Sequence, residues 1–171
     1  MSNQTFYQKL YTAVALPFRQ KPKAVKALVF VEKTLVGVSM AAYAALVFYA
    51  LFWLTSEWKN ALCVLGLPAA CLLAVSASRK LIKRARPYER EIVPLVEKDA
   101  KSNSFPSRHT ACAFVIATVA RAYSPLVGGI LYGVGVWIAF FRFLFGHHYP
   151  TDLLGGIILG FLFGCPIFFL I

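Results

Sequence analysis

Residues 34–54, TLVGVSMAAYAALVFYALFWL, run without a single charge. A bilayer core about 30 Å thick is crossed by roughly 20 residues of helix, so this stretch reads as a membrane span. Four more apolar stretches follow it: residues 61–78 after the polar turn SEWKN, residues 110–123 ending beside Arg121, residues 126–141 extending past Arg142 to Gly146, and residues 153–171. Arg121 suits the third of these five if its side chain snorkels to the interface. The expected fold is all-α: an integral membrane bundle of about five transmembrane helices.

Composition agrees with that class. Of 171 residues 59% are apolar and 15% charged, yet Lys and Arg outnumber Asp and Glu by 18 to 7, for a net charge of +11. Soluble domains average about 45–50% apolar and about 25% charged, which excludes both an ordinary water-soluble globule and a disordered chain. Cys63, Cys71, Cys112 and Cys165 lie inside apolar runs with no CxxC pairing and read as small buried residues rather than disulfides or zinc ligands. The short apolar stretch from Leu10 to Phe18 is interrupted by Pro17 and has no small-residue cleavage site, so it is not read as a signal peptide.

The first 33 residues are of another kind. Lys9, Arg19, Lys21, Lys23, Lys26 and Lys33 are interleaved with Phe6, Tyr7, Leu10, Tyr11, Val14, Phe18 and an apolar run ending at Val31. Aromatics recurring near helical spacing among cations suit an amphipathic helix in the membrane interface. Two regions are therefore expected, a basic amphipathic segment at 1–33 and a transmembrane domain at 34–171 with a polar loop at 79–109. Gly156, Gly160 and Gly164 fall every four residues in the last span, as do Gly129 and Gly133 in the fourth. That spacing suits close helix contact within the bundle, or dimerisation, and leaves the oligomeric state open.

Parity brings the polar clusters together. Two crossings return the chain to the N-terminal side before Arg79, and two more return it before His148, so three clusters meet at one membrane face. In the first, RKLIKRARP at 79–87, Arg79 and Arg86 are seven residues apart, with Lys83 between them on one face if the helix runs on to Pro87. Taken alone, it is equally the basic end of a membrane helix. In the second, FPSRH at 105–109, Ser107 is placed to cap the third span, where free N–H groups and the helix dipole favour an anion, with Arg108 and His109 beside it. The third is RFLFGHHYPTD at 142–152. Charges beside membrane spans are rare and costly. His148 and Asp152 are four residues apart, so the carboxylate can hold one imidazole nitrogen and leave the other free, as in an activated His nucleophile or base.

In order and internal spacing, Arg79-x6-Arg86-Pro87, Pro106-Ser107-Arg108-His109 and Arg142-x5-His148-x3-Asp152 resemble the three motifs of the phosphatidic acid phosphatase type 2 superfamily, which includes the vanadium haloperoxidases. This chain has Arg79 where the family usually opens with Lys, Arg108 where it more often has Gly, and Phe141 where it usually has Ser. The resemblance implies a membrane phosphatase acting on a lipid phosphate monoester or an isoprenoid pyrophosphate. By it His148 attacks phosphorus to form a phosphohistidine, Asp152 orients and stabilises its imidazolium, and His109 protonates the leaving alkoxide. Arg79, Arg86, Arg142 and Ser107, with Arg108 beside them, would hold the phosphoryl oxygens. No metal or other cofactor is implied, because guanidinium groups supply the cage of positive charge that phosphoryl transfer needs.

Two other classes compete. His147-x4-Asp152 matches the HX4D pattern of membrane glycerolipid acyltransferases, in which His147 would act as base towards a lipid hydroxyl; that reading explains neither the first cluster nor His109. A non-catalytic protein that binds anionic lipid headgroups would draw on the basic N-terminal segment, but it needs none of His109, His148 and Asp152. The expected partners are a lipid phosphate substrate and membrane lipids, with no nucleic acid. The expected location is the cell membrane. Twelve basic residues outside the motif positions on the motif face, against two on the other, favour a cytoplasmic site, whereas the resemblance often implies the outer face. Phe140, Phe141, Phe143 and Phe145 around Arg142 suit acyl or prenyl chains as well as ordinary membrane packing.

Overall fold

The apolar runs become helices in the computed structural model, which describes residues 5–53, 58–97 and 102–171. Leu54 at the end of the first expected span, Lys98 and Lys101 of the polar loop, and residues 1–4 lie outside the described residues. In chain order the helices are α1 (Phe6–Arg19), α2 (Pro22–Phe52), α3 (Trp58–Ile82), α4 (Pro87–Arg90), α5 (Arg108–Tyr123), α6 (Pro125–Leu144), α7 (Pro150–Gly164) and α8 (Ile167–Leu170). Among the described residues there is no strand. Among the described residues four stretches are long and apolar enough to cross a membrane: Pro22–Phe52, Trp58–Arg90, Pro125–Leu144 and Pro150–Leu170.

The fifth expected span, residues 110–123, is α5, and it sits in the middle. Thr110, Ala111 and every residue from Ala113 to Ala120 are buried, with α3, α6 and α7 packed around it. A helix sheltered from lipid by its neighbours can be short and rich in Ala and Thr. The glycines explain how tightly it is held. A side chain at Gly156 would meet the Ser107 carbonyl at 2.7 Å, at Gly160 Phe114 Cβ at 2.5 Å, and at Gly164 Thr118 Cβ at 2.6 Å. The α7 stripe is thus a seam inside the bundle. In α6 the expected pair is not the contact: Gly129 and Gly133 have nothing within 4 Å, while Gly128 lies against Arg121 and Gly135 against the Phe114 ring. Four-residue spacing identified the helix but not the face, which is set by how α6 is rotated about its axis.

The basic segment divides differently from its expected boundary. Thr5 and Gln8 cap α1 reciprocally, Gln8 N–H donating to Thr5 Oγ1 at 3.3 Å and Thr5 N–H to Gln8 Oε1 at 2.8 Å. Pro22 then opens α2 at its first turn, where a missing N–H costs nothing. From there α2 continues unbroken to Phe52, so the change of polarity at residue 33 falls inside one helix. α1 also does more than lie on a surface. Tyr11 and Ala15 are fully buried, the Tyr11 hydroxyl accepts the Leu95 N–H at 2.8 Å, and Arg19 donates to the Val93 carbonyl at 2.8 Å. Val14 and Phe18 join a small core with Phe141, Leu144 and Phe145 at the polar end of the bundle. That core anchors the loop carrying the first two motifs.

Candidate active site

α3 ends at Ile82, and Lys83 adopts the left-handed backbone conformation with φ +48°. Arg79 therefore lies on the last turn of a helix and Arg86 beyond it, so the two do not share a helical face as their seven-residue spacing suggests. They converge because the loop folds back over the bundle. Arg79 Nη1 donates to the Pro106 carbonyl at 3.1 Å. Arg86, buried, donates through Nε to the Ser102 carbonyl at 3.0 Å, through Nη2 to Ser102 Oγ at 2.9 Å and through Nη1 to the His147 carbonyl at 3.2 Å.

Ser107 occupies the cap position of α5 but its side chain makes no capping bond. Its hydroxyl is engaged one turn on, accepting from Thr110 Oγ1 at 3.0 Å, and its N–H donates to the Asp152 carbonyl at 2.9 Å. Ser107 thereby ties the start of α5 to the start of α7, behind the cavity rather than in its lining.

The third motif turns on Gly146. Its φ of +78° is open to glycine, and a Cβ there would meet Ile92 Cδ1 at 2.9 Å and the Tyr11 hydroxyl at 3.0 Å. Before the turn, Arg142 on α6 pairs through Nη2 with Glu32 Oε1 of α2 at 2.6 Å, both side chains nearly buried. After it, His148 Nδ1 faces Asp152 Oδ2 at 3.5 Å. The same Oδ2 accepts the Tyr149 N–H at 2.9 Å, while Oδ1 accepts from Arg84 Nη1 at 2.9 Å. Asp152 is fully buried.

These elements enclose a cavity of about 400 Å³ lined by five cationic side chains, Arg79, Lys80, Arg86, Arg108 and Arg142, together with His109, His148, Ser102 and Asn103. A carboxylate does not figure among its described lining residues. Two smaller cavities adjoin it. One, about 350 Å³, shares His109 and Arg142 and contains His147, Glu32 and Glu97; His147 Nε2 lies 3.1 Å from the Val96 carbonyl oxygen there. The other, about 210 Å³, shares Arg108 and His109 and, Ser39 apart, is otherwise apolar, with Val36, Met40, Ile116 and Ile138. Among the described residues no three His, Cys, Asp or Glu side chains cluster to hold a metal ion. Burial pushes the His148 imidazolium down to about 4, with Arg86 and Arg79 adding to it against the pull of Asp152. His148 is therefore a neutral base at pH 7, and its Nδ1 is the nitrogen turned to the carboxylate.

The model of the PAP2 superfamily matches residues 60–170. The chain belongs to the PAP2 superfamily. The undecaprenyl-diphosphatase BcrC of Bacillus subtilis (strain 168) is 38% identical over 82 residues, a match covering 46% of this chain and 42% of that protein; less than half of that relative is thus spanned. Two solved structures share the fold. Aquifex aeolicus LpxE superposes with a TM-score of 0.69 at 21% identity, covering 96% of each chain. The first transmembrane PAP2 type phosphatidylglycerolphosphate phosphatase from Bacillus subtilis superposes at 0.66 and 23% identity, covering 94% of this chain and 82% of that one. This PAP2 protein is accordingly an all-helical integral membrane protein of a phosphatase family.

Six of the eight residues singled out from the PAP2 motifs line one cavity, and Ser107 and Asp152 stand immediately behind it. Sequence reasoning missed Glu32, Arg84 and Lys80. Glu32 is the one acid among six cations in residues 1–33, an oddity that could have flagged it. Arg84 is one of the twelve basic residues outside the motif positions on the motif face, and nothing in its spacing reveals Asp152 as its partner. Lys80 lies about 100° round a helix from Arg79, yet both reach the cavity because long side chains at a helix end can splay.

Proposed function

We propose that this PAP2 protein hydrolyses a lipid phosphate monoester or an isoprenoid pyrophosphate through a phosphohistidine on His148, without a metal ion. The observation that carries the reading is the cavity itself: five cationic side chains converge on a space that also holds a neutral, carboxylate-backed imidazole. A dianionic phosphoryl group is the chemistry that such a cage fits. Arg142 adds a specific demand. Among the described residues its buried Nε has no hydrogen-bond partner, a donor that a phosphoryl oxygen would satisfy.

In this scheme the lone pair on His148 Nε2 attacks phosphorus and the bond to the leaving oxygen breaks, with His109 supplying that oxygen's proton. Asp152 balances the positive charge gained by the imidazole. Water, deprotonated by His109, then attacks phosphorus, the P–N bond breaks, and inorganic phosphate leaves. The apolar cavity beside Arg108 and His109 supports a hydrocarbon chain on the substrate. The BcrC relative, an undecaprenyl-diphosphatase by name, supports the pyrophosphate arm. His147 sits in the adjoining cavity, whereas Asp152 turns Oδ2 to His148, which favours the phosphatase over the HX4D scheme. The outward face of α1, where Phe6, Leu10 and Leu16 are exposed beside Lys9 and Arg19, suits the headgroup layer.

Phosphate release from a panel of lipid monophosphates and pyrophosphates, measured in EDTA beside His148→Ala, tests this. Release that persists in EDTA and falls by at least about 1,000-fold in the variant is expected. A variant as active as the parent overturns the nucleophile assignment, and activity that returns only with added Mg²⁺ overturns the metal-free cage.

A further inference from the structure

Asp152 is asked to serve two cations. Its Oδ2 faces His148 Nδ1 at 3.5 Å and takes the Tyr149 N–H at 2.9 Å. Its other oxygen, Oδ1, is held by Arg84 Nη1 at 2.9 Å, and the same Nη1 donates to Thr151 Oγ1 at 2.6 Å. The guanidinium lies over the Tyr149 ring, its central carbon 4.1 Å from the ring centroid. The Tyr149 hydroxyl in turn donates to Glu91 at 2.9 Å. Arg84 is thus placed from three sides, although its side chain is 37% exposed, and it is absent from the lining of the phosphate cavity.

We propose that Arg84 is a positioning residue for the Asp152–His148 pair, fixing the carboxylate through Oδ1 and taking up part of its charge so that His148 stays a neutral, correctly oriented imidazole. The inference rests on the reading of His148 as nucleophile. Two effects follow from a carboxylate shared in this way. With Oδ1 bound by Arg84 and Oδ2 by the Tyr149 N–H, the carboxylate is held at both oxygens and cannot rotate away from His148. With its charge partly compensated, it draws the imidazole less strongly towards protonation. The other groups acting on the pair are Arg79 and Arg86, which oppose a proton on His148, and Ser104, which favours the Asp152 carboxylate; Tyr149 and Tyr7 also face Asp152, with Glu91 beyond them on the Tyr149 hydroxyl. Removing Arg84 would raise the proton affinity of His148 and of Asp152 alike, so both changes move an activity profile in the same direction.

The test is the pH dependence of kcat/KM for Arg84→Gln, Arg84→Lys and His148→Ala beside the parent, on whichever lipid phosphate the parent hydrolyses. Arg84→Gln is expected to move the acid limb up by about one pH unit and to lower kcat/KM at neutral pH on the order of 10-fold. Arg84→Lys, which keeps the charge but not the fork or the stacking, is expected to restore most of the limb position and less of the rate. If both Arg84 variants give the parent's limb and rate while His148→Ala is inactive, the Arg84 inference falls and the phosphohistidine reading stands. If His148→Ala keeps the parent's rate, the nucleophile reading falls instead. A uniform rate loss in Arg84→Gln with an unmoved limb, matched by Arg84→Lys, would make the role merely structural and overturn the proposal.

Discussion

Residues 1–33 and residues 79–108 carry the same net charge, +5 each, and the fold uses it differently. In the first segment all six cations are exposed and the single acid, Glu32, is buried against Arg142. In the second, Lys80, Lys83, Arg90 and Arg108 are exposed as well, but Arg86 is buried and Arg79 and Arg84 half-buried, Arg79 and Arg86 bonded to backbone in the cavity wall and Arg84 to the carboxylate behind it. Charge count alone cannot separate a cation facing lipid headgroups from one aimed at a site. The difference arises because α1 and the start of α2 are regular helices whose apolar stripe points inward, whereas the chain leaves its helix at Lys83 and wraps its cations over the bundle end.

Variants can break that contrast, and the largest effect is expected in the second segment. Arg86→Ala removes a cavity cation together with its bonds to Ser102 and the His147 carbonyl, and phosphate release is expected to fall on the order of 100-fold or more. Loss of less than about threefold would move Arg86 out of the site. Next comes the acid of the first segment. Glu32→Ala leaves the Arg142 guanidinium buried without its partner, a change that costs about 3–5 kcal/mol when such a pair is broken. A marked drop in thermal midpoint is expected, with a smaller one for Glu32→Gln; an unchanged midpoint in both would make the ion pair incidental.

A subtler effect is expected from pH. His148 sits below the ordinary value of 6.5, at about 4, so the unfolded chain binds its proton more readily than the folded one. Its contribution is fully present above about pH 6.5 and is lost as pH falls through 4. The thermal midpoint should therefore drop on acidification across that window, and less so in a His148→Gln variant, in which the residue no longer titrates. The smallest effect should come from the exposed cations. Replacing Lys9, Lys21 and Lys23 together by Gln is expected to change phosphate release by less than about twofold, as befits solvent-exposed charges. A loss comparable to that of Arg86→Ala would erase the distinction between the two segments.

Much was legible before any coordinates. The long apolar runs follow from the thickness of a bilayer, and the parity of crossings brought three motifs to one face because a chain can only return on the side from which it left. Arg79 and Arg86 reach one cavity without sharing a helical face, because the helix between them ends at Ile82 and the loop, not the seven-residue spacing, brings them together. Ser107 stood at a helix cap as expected, but Thr110 had claimed its hydroxyl.

By itself, then, the sequence determined the class of molecule, the helical spans, the family and most of the residues around the cavity, because these depend on local composition and on spacing within short motifs. Only the tertiary structure decided the partners: Glu32 with Arg142 across 110 residues, Arg84 with Asp152 across 68, and α7 glycines rather than α6's evenly spaced pair against α5. Those choices depend on the rotation of each helix and on the path of a loop, and neither is written in the spacing of any one segment.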